Sequence, residues 1–317
     1  MASRPRGLRR AGVLIASVFL LATAWSGSSA GARALPRAST AAKTGAPSCG
    51  GTTLAKPGGG VWQCTFDDEF TASTLDRSEW TPQLTSNSDY TNGPAGAAAC
   101  YVDSPHNVSV SGGYLRLTAR AEPAPFTCAA PSGGFTTKYT AGMVSTYAGF
   151  HQAYGRFAVR AKLPQTTAKG LQETLWLWPV NQVKYGAWPY SGEIDFAEFY
   201  SQYANLDVPY LHYVYDPASL NTVTNTNVAT AYNCTINLST FNSYAVTWVP
   251  GRITILTNGK TCLVDNYAAS GLSTPAPFDQ PFFIALTQAL GVGTNAFDPS
   301  TTPLPATTTI DYVRAWK

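Results

Sequence analysis

The chain has 317 residues, of which 12% are charged and a further 12% are aromatic, and its formal net charge is +3. This length is enough for one large all-β domain or two ordinary domains. Outside residues 1–34 the sequence has no basic patch of the kind that phosphate binding needs, which argues against a nucleic-acid partner. Sparse charge with many aromatic residues is typical instead of an extracellular protein that handles uncharged ligands.

The N-terminal 34 residues indicate a secretory signal peptide. Four arginines between Arg4 and Arg10 precede an apolar run over residues 13–25, which is short for a membrane span. Small residues ending at Ala30 or Ala34 provide two candidate cleavage sites, and a retained membrane anchor is the alternative. Without this segment 16 basic residues face 18 acidic ones, a net charge of −2. We therefore expect a secreted, extracellular protein with no membrane association after cleavage.

The next segment, residues 35–48, is rich in Ala, Ser, Thr and Pro and predicts a disordered linker. Residues 49–317 then form a single predicted domain, since no internal repeat or second domain is visible. Six cysteines in an exported chain predict up to three disulfides. We expect sequential pairing, because each pair then brackets one or two strand-like runs: Cys49–Cys64, Cys100–Cys128 and Cys234–Cys262.

Short strands and turns account for the predicted domain. Glycine and proline, 27 and 22 residues, punctuate the chain, and no stretch beyond the signal has a convincing helical period. In chain order the predicted strands are 62–70, 107–110, 114–119, 140–146, 155–163, 171–178, an acidic strand within 188–200, 210–215, 244–249, 253–257, 262–265, 282–290 and 308–316. This pattern predicts an antiparallel β-sandwich.

The acidic strand carries Glu193, Asp195 and Glu198 among apolar residues. Alternate side chains on a strand share a face, so Glu193 and Asp195 point the same way, whereas strict alternation would turn Glu198 away. A single β-bulge after Asp195 would return Glu198 to their face. Three acids this close favour retaining glycoside hydrolysis, which needs one nucleophilic carboxylate and one proton donor. A solvated acidic strand or a calcium site is the alternative.

The run Glu-Ile-Asp-Phe-Ala-Glu at 193–198 resembles the E-x-D-x-x-E signature of glycoside hydrolase family 16, in its bulged, laminarinase-like form. Four further stretches resemble family elements in the same order: 66–70, 154–164, 241–248 and 310–314. The resemblance covers most of the chain from about residue 62. It implies a curved jelly-roll sandwich with an open substrate cleft on the concave face, Glu193 as the nucleophile, Glu198 as the general acid/base and Asp195 as the assisting carboxylate.

Aromatic and polar residues near the acids are candidates for substrate binding, because sugar rings stack on indoles. Trp188 lies five residues before Glu193, and Trp176 and Trp178 share one face of a neighbouring strand; a place in the core is the alternative for each. His212 follows soon after the acidic strand and is expected near the acid/base, unless it is a buried core histidine. Gln288 is a substrate contact implied by the resemblance.

The resemblance also implies a structural calcium ion on the convex face. Its ligands would be the Asp311 carboxylate, a backbone oxygen near Gly113 and, as a further oxygen donor, Glu69. Oxygen ligands of this kind suit Ca²⁺. The chemistry itself requires no cofactor.

The sequence therefore predicts a secreted, monomeric, retaining endo-β-glucanase that hydrolyses β-1,3 linkages of laminarin-like glucans through a glycosyl-enzyme intermediate. Mixed-linkage β-glucan and galactans stay open as substrates, because related enzymes cut them. One alternative is a non-catalytic β-glucan-binding jelly roll, although binding alone has no use for three adjacent acids. Another is a glycan transglycosylase that uses the same residues.

Overall fold

A computed structural model describes residues 46–221 and 226–317. The predicted signal peptide, and the predicted linker up to residue 45, lie outside the described residues. Within the described ranges, no helix is both long enough and apolar enough to cross a membrane.

Strands dominate the described parts of the chain, which confirms the predicted all-β class. In chain order they are β1 (Cys64–Asp68), β2 (Thr81–Pro82), β3 (Thr91–Asn92), β4 (Ala99–Tyr101), β5 (Val108–Ser111), β6 (Tyr114–Cys128), β7 (Phe135–Ala141), β8 (Met143–Ser145), β9 (His151–Gln152), β10 (Gly155–Lys162), β11 (Leu171–Pro179), β12 (Glu193–Tyr200), β13 (Leu206–Asp207), β14 (Tyr210–His212), β15 (Cys234–Thr235), β16 (Asn242–Val249), β17 (Arg252–Thr257), β18 (Lys260–Asp265), β19 (Phe282–Leu290) and β20 (Ala306–Trp316). The helical elements are short: α1 (Thr85–Ser88) and the 3₁₀ turns Cys49–Gly51, Ser201–Tyr203, Pro217–Ser219 and Gly293–Asn295.

Two large sheets form the jelly-roll sandwich. The outer, convex sheet has the strand order β18-β17-β16-β10-β20-β6-β7-β4-β3, with β1 beside β20 and β5 beside β6. The inner, concave sheet has the order β14-β12-β11-β19-β8-β2, with β9 beside β19. Strands β13 and β15 form a separate pair. The acidic strand β12 therefore lies in the inner sheet, between β14 and β11.

Several features of the sheets differ from the sequence prediction: β6 continues to Cys128, and the short strands β2, β3, β4, β9, β13 and β15 were not predicted. The predicted strand 140–146 is broken between β7 and β8 at Gly142, where a Cβ atom would lie 2.1 Å from the backbone oxygen of Asn107. Strand β4 pairs with β7 in parallel, whereas the prediction was wholly antiparallel. β4 has only three residues, all buried, so it lacks the alternation that would have indicated a strand.

The core lies between the two sheets. Phe157 of β10 and Trp248 of β16 face it from the outer sheet, and Leu177 of β11, Ile194 of β12 and Ile284 of β19 face it from the inner sheet. All five side chains are almost completely shielded from solvent. Burying a large aliphatic or aromatic side chain contributes about 1.5–3 kcal/mol, so this layer fixes the inner sheet against the outer one.

Three disulfides join the six cysteines in sequential order: Cys49–Cys64, Cys100–Cys128 and Cys234–Cys262. The first holds an N-terminal segment against the outside of the outer sheet. There Cys49 and Trp62 pack on a small apolar cluster that includes Ala158, Ala245 and Trp316. Residues 49–62 thus form a strap across the convex face.

Candidate active site

A bulge in β12 brings the three acids onto one face. Trp176 of β11 pairs with Asp195, and Leu175 pairs with Ala197, so Phe196 is an extra residue on β12. Glu198 consequently lies opposite Thr174 and faces the same way as Asp195. The predicted bulge is confirmed, and its position is the one expected from the spacing of the acids.

The other face of β12 holds the strand in place. Ile194, Phe196, Ala197 and Phe199 are buried in the core between the sheets. Shifting β12 by one residue would expose this apolar set and bury the acids in its place. Core packing therefore fixes the register that presents the three carboxylates.

The acids face a surface cavity of about 230 Å³ on the inner sheet. Its wall combines aromatic rings with hydroxyl and amide groups, and among the described residues that line it the one basic side chain is that of His212. The lining residues are Tyr90, Asn92, Gln172, Thr174, Trp176, Trp188, Glu193, Asp195, Glu198, Tyr200, Gln202, Tyr203, Val208, Tyr210, His212, Tyr232, Val292, Gly293, Thr294 and Asn295. Such a wall suits a neutral, hydroxyl-rich ligand.

Glu193 accepts a hydrogen bond from the indole of Trp188, with 2.6 Å between Nε1 and Oε2. Burial, followed by the charge of the neighbouring Asp195 carboxylate, raises the pKa of Glu193 to about 8. His212 and the Trp188 hydrogen bond act in the opposite direction and favour the ionised form. Glu193 thus has a donor that holds its carboxylate in one orientation.

Asp195 lies between the two glutamates and is almost completely buried. Its Oδ2 is 3.1 Å from Nε2 of His212, and it shares a hydrogen bond with Glu193. Burial, followed by the charge of Glu198, raises the pKa of Asp195 well above its usual range. Asp195 therefore readily holds a proton next to the Glu193 carboxylate.

Glu198 has a different set of partners. Its Oε1 accepts a hydrogen bond of 2.7 Å from Nε2 of Gln172. Burial raises the pKa of Glu198, while His212, Tyr200 and Gln172 lower it. Three buried acids close together cannot all ionise at low cost, so the cluster retains protons at neutral pH.

A buried aspartate positions the backbone of Glu198. Asp207 Oδ1 accepts a hydrogen bond of 3.3 Å from the Glu198 N–H, and its Oδ2 accepts one of 2.7 Å from Oγ1 of Thr257. Burial raises the pKa of Asp207 to about 8. This contact ties the end of β12 to β17 of the outer sheet.

The structure brings most of the predicted substrate contacts to the acids. Trp188, Trp176 and His212 line the cavity, and His212 pairs with Glu193 across β14 and β12. Trp178 shares a face with Trp176, with ring centroids 5.5 Å apart, but does not line the cavity.

The prediction that Gln288 contacts substrate is wrong. Its side chain is fully buried, donates to Oε1 of Glu173 at 2.6 Å and accepts from Oγ1 of Thr308 at 2.8 Å. Gln288 pairs with Glu173 across β19 and β11, and Glu173 lies on the opposite face from Gln172 and Thr174. Gln288 therefore lies behind the sheet, within the sandwich.

The predicted calcium ligands are engaged by arginines. Both oxygens of Glu69 accept hydrogen bonds from Arg314, at 2.6 and 2.9 Å, and Asp311 forms an ion pair with Arg160. Gly113 occupies the turn between β5 and β6. This donor set does not fit a cation, since an arginine already balances each carboxylate. Calcium binding stays a prediction, and no chemical step depends on it.

Several cavity residues were missed by the sequence prediction. Gln172 and Thr174 could have been found, because they alternate with Trp176 on β11 and so share its face. Tyr232 lies on an irregular segment and Asn295 ends a three-residue 3₁₀ turn, and neither gives a periodic signal that indicates the direction of a side chain.

The acidic strand presents two glutamates on one face, with an aspartate between them. Each glutamate has its own hydrogen-bond donor. Retaining cleavage at a sugar requires a carboxylate pair of this kind. On a jelly roll with an open, aromatic cleft, this arrangement defines a glycoside hydrolase. Residues 99–314 match the family described as Glycosyl hydrolases family 16. The chain belongs to this family.

Relatives with known names are similar over much of the chain. It is 31% identical over 271 residues to Glucan endo-1,3-beta-glucosidase A1 of Niallia circulans, covering 81% of this chain and 37% of that protein. It is 31% identical over 191 residues to Keratan-sulfate endo-1,4-beta-galactosidase of Sphingobacterium multivorum, covering 58% and 42%. Beta-glucanase of Rhodothermus marinus is 29% identical, with 81% and 85% covered. The chain thus spans less than half the length of the first two.

Solved structures show the same fold. The catalytic domain of an endo-1,3-beta-glucanase (laminarinase) from Thermotoga petrophila superposes with a TM-score of 0.64 at 24% identity, covering 81% of this chain and 98% of that one. The endo-beta-1,3-glucanase of Pyrococcus furiosus gives 0.66 at 24% identity, with 84% and 97% covered. At this identity the likeness supports the jelly-roll architecture.

Replacing Trp188 by phenylalanine should move the acid limb of the pH–activity profile upwards by about one pH unit. The Trp188 hydrogen bond lowers the pKa of Glu193, so its loss makes the carboxylate harder to ionise. The measurement is kcat/KM from pH 4 to 9. Trp178→Phe is the matched control, because Nε1 of Trp178 donates to Gln182 rather than to an acid. An unmoved or lowered limb in Trp188→Phe would contradict this role.

Proposed function

We propose that the protein is a retaining endo-β-glucanase that hydrolyses β-1,3 linkages of laminarin-like glucans. The observation that carries the proposal is the placement of Glu193 and Glu198 on one bulged strand face, with separate hydrogen-bond partners and with Asp195 between them. Retaining hydrolysis divides its work between two such groups.

In the first step Glu193 attacks the anomeric carbon of the sugar at the cleavage point. The carbon–oxygen bond to the leaving sugar breaks, and Glu198 gives its proton to that oxygen. Burial raises the pKa of Glu198 and so favours the protonated form that this step needs. The products are an ester between the sugar and Glu193 and a released chain end.

In the second step Glu198, now ionised, takes a proton from a water molecule. The water oxygen attacks the anomeric carbon from the side that the leaving sugar vacated, and Glu193 departs as a carboxylate. Two inversions at one carbon return the original configuration. His212 and Gln172 favour the ionised form of Glu198, which assists this half of the cycle.

Asp195 adjusts the charge of the nucleophile during the cycle. Burial and the charge of Glu198 raise its pKa, so Asp195 can hold a proton beside Glu193, and His212 lies 3.1 Å from its Oδ2. A proton held there reduces the repulsion between Glu193 and Glu198. The central acid thus keeps one neighbour ionised and the other protonated.

The relatives and the cavity wall support a neutral β-glucan as the substrate. Two of the relatives are named as a glucan endo-1,3-beta-glucosidase and a beta-glucanase. The cavity offers rings and amides, and the part of the chain that the structure describes places no lysine or arginine in its lining to select an acidic sugar. Three disulfides support action outside the cell, in an oxidising compartment. We place the enzyme there as a monomer.

A galactan is the second candidate substrate, because one relative is named as a keratan-sulfate endo-1,4-beta-galactosidase. A panel of laminarin, mixed-linkage β-glucan, agarose and keratan sulfate separates the candidates when the products are sized. We expect laminarin to release short oligosaccharides at the highest rate. Faster cleavage of a galactan would overturn the glucan assignment, and products longer than the substrate at high acceptor concentration would indicate a transglycosylase.

A further inference from the structure

A second groove, of about 560 Å³, lies on the convex face, on the outer sheet away from the three acids. Its floor crosses three strands, because Arg156 of β10 pairs with Thr247 of β16, which pairs with Thr254 of β17. The strap residues 54–57 and Trp62 form one wall. The volume is within the range of small-ligand sites.

Three cations meet in this groove: Arg156, Arg252 and Lys56. Arg156 Nη1 donates to Thr247 Oγ1 at 3.0 Å, and Arg252 Nε lies 3.4 Å from Thr254 Oγ1. Within the described residues none of the three forms an ion pair. No aspartate or glutamate of residues 46–221 and 226–317 lines the groove, so these residues do not balance its positive charge.

Arg156 has one side-chain nitrogen that is both shielded from solvent and unpaired. Its Nε is buried and has no hydrogen-bond partner among the described residues. Burial lowers the pKa of its guanidinium, and no carboxylate acts in the opposite direction. A buried guanidinium usually meets a carboxylate, sulfate or phosphate through two parallel hydrogen bonds. The groove therefore offers hydrogen-bond donors to an oxyanion, while its described lining residues supply no carboxylate to accept them.

The rest of the groove suits a sugar ring. Leu54, Val249 and Leu256 give it apolar walls, and the hydroxyls of Thr247 and Thr254 can exchange hydrogen bonds with ring hydroxyls. Lys56 lies over the ring of Trp62, 5.1 Å from its centroid, at the rim. We propose that this groove is a non-catalytic binding site for an acidic saccharide, a sugar that carries a carboxylate or a sulfate ester.

Calorimetric titration of the full chain with three trisaccharides tests the proposal. The probes are a glucuronate trisaccharide, a sulfated glucose trisaccharide and a neutral laminaritriose, each at 50 and 500 mM NaCl. Glu193→Gln is the background, which prevents turnover of the neutral probe. Binding of the uronate alone would assign a carboxylate, binding of the sulfated sugar alone a sulfate ester, and either result supports the site. Higher salt should weaken the acidic probes by about tenfold.

Substitutions locate the binding in the groove. Arg252→Ala should weaken the acidic probe by about tenfold and Lys56→Ala by a few fold, and both side chains are accessible enough to change without disturbing the core. Lys138→Ala, an exposed lysine on β7, is the control and should change nothing. Absence of binding by both acidic probes, equal loss in Lys138→Ala, or equal competition by free sulfate would overturn the proposal. A failure of glucan hydrolysis leaves this test unaffected, because the groove does not share residues with the cleft.

Discussion

Glu193→Gln should lower the rate of laminarin hydrolysis at least about a thousandfold while the protein still binds the polymer. The amide has nearly the shape of the acid and can still accept the hydrogen bond from Trp188, so the strand and cavity should keep their form. It cannot attack the anomeric carbon, because it has no carboxylate lone pair of comparable basicity. Reducing-end release and affinity electrophoresis measure the two properties separately.

The shorter variant Glu193→Ala identifies the role of the residue by stereochemistry. It leaves space on the face from which the nucleophile attacks, and sodium azide can enter there. With an activated β-glucoside the product should be the α-glucosyl azide, since a single displacement inverts the anomeric carbon. Glu122→Gln is the control for loss of a carboxylate elsewhere, because Glu122 is a partly exposed acid of β6 that pairs with Arg120. Undiminished hydrolysis in Glu193→Gln, or a β-azide from Glu193→Ala, would refute the assignment.

The acidic strand could be predicted because its constraints are local. A bulge after Asp195 could be predicted from the spacing to Glu198 and from the apolar residues between the two acids. The pairing of β12 with Leu175 and Trp176 shows the bulge at this position. Alternation also predicted that Trp176 and Trp178 share one strand face; they do, but of the two Trp176 alone lines the cavity. Where a strand has one apolar and one functional face, sequence alternation decides which residues meet.

Gln288 is a residue whose role was inferred from the family resemblance alone, with no support from sequence alternation. Its neighbours on β19 are buried on both faces of the strand, as Leu286, Thr287, Ala289 and Leu290 show, so alternation gave no direction. Only the pairing with Glu173 shows that it points into the sandwich. A buried polar side chain needs hydrogen-bond partners. The sequence contains the partner, Glu173, but does not reveal that Glu173 lies opposite Gln288.

Residues from irregular segments depend on tertiary contacts that a sequence does not encode locally. Tyr203 and Asn295 belong to separate 3₁₀ turns and reach the cavity from different parts of the chain. Asn295 is held there by a bond of 2.7 Å from its Nδ2 to the backbone oxygen of Leu171. Contacts across more than a hundred residues of sequence arise only when both sheets are assembled.

Glu198→Ala should separate the two chemical steps. Laminarin has a poor leaving group that needs a proton, so its hydrolysis should fall by about a hundredfold to ten-thousandfold. A dinitrophenyl β-glucoside has a leaving group that departs without protonation, so its first step should be little affected. Release of dinitrophenol should then show a fast burst followed by a slow phase, because water attacks the sugar–Glu193 ester without a general base.

Azide should restore turnover of that substrate by Glu198→Ala, since an anionic nucleophile needs no base. The product should be the β-glucosyl azide, the opposite configuration from that expected with Glu193→Ala. The matched control is Glu173→Gln. Glu173 lies next to Gln172 on β11, but its side chain faces away from the cavity. Burial raises the pKa of Glu173 to about 8. At pH 6 the neutral amide of the variant therefore replaces an acid that is already protonated. Equal losses on both substrates in Glu198→Ala, or an α-azide product, would show that Glu198 is not the proton donor.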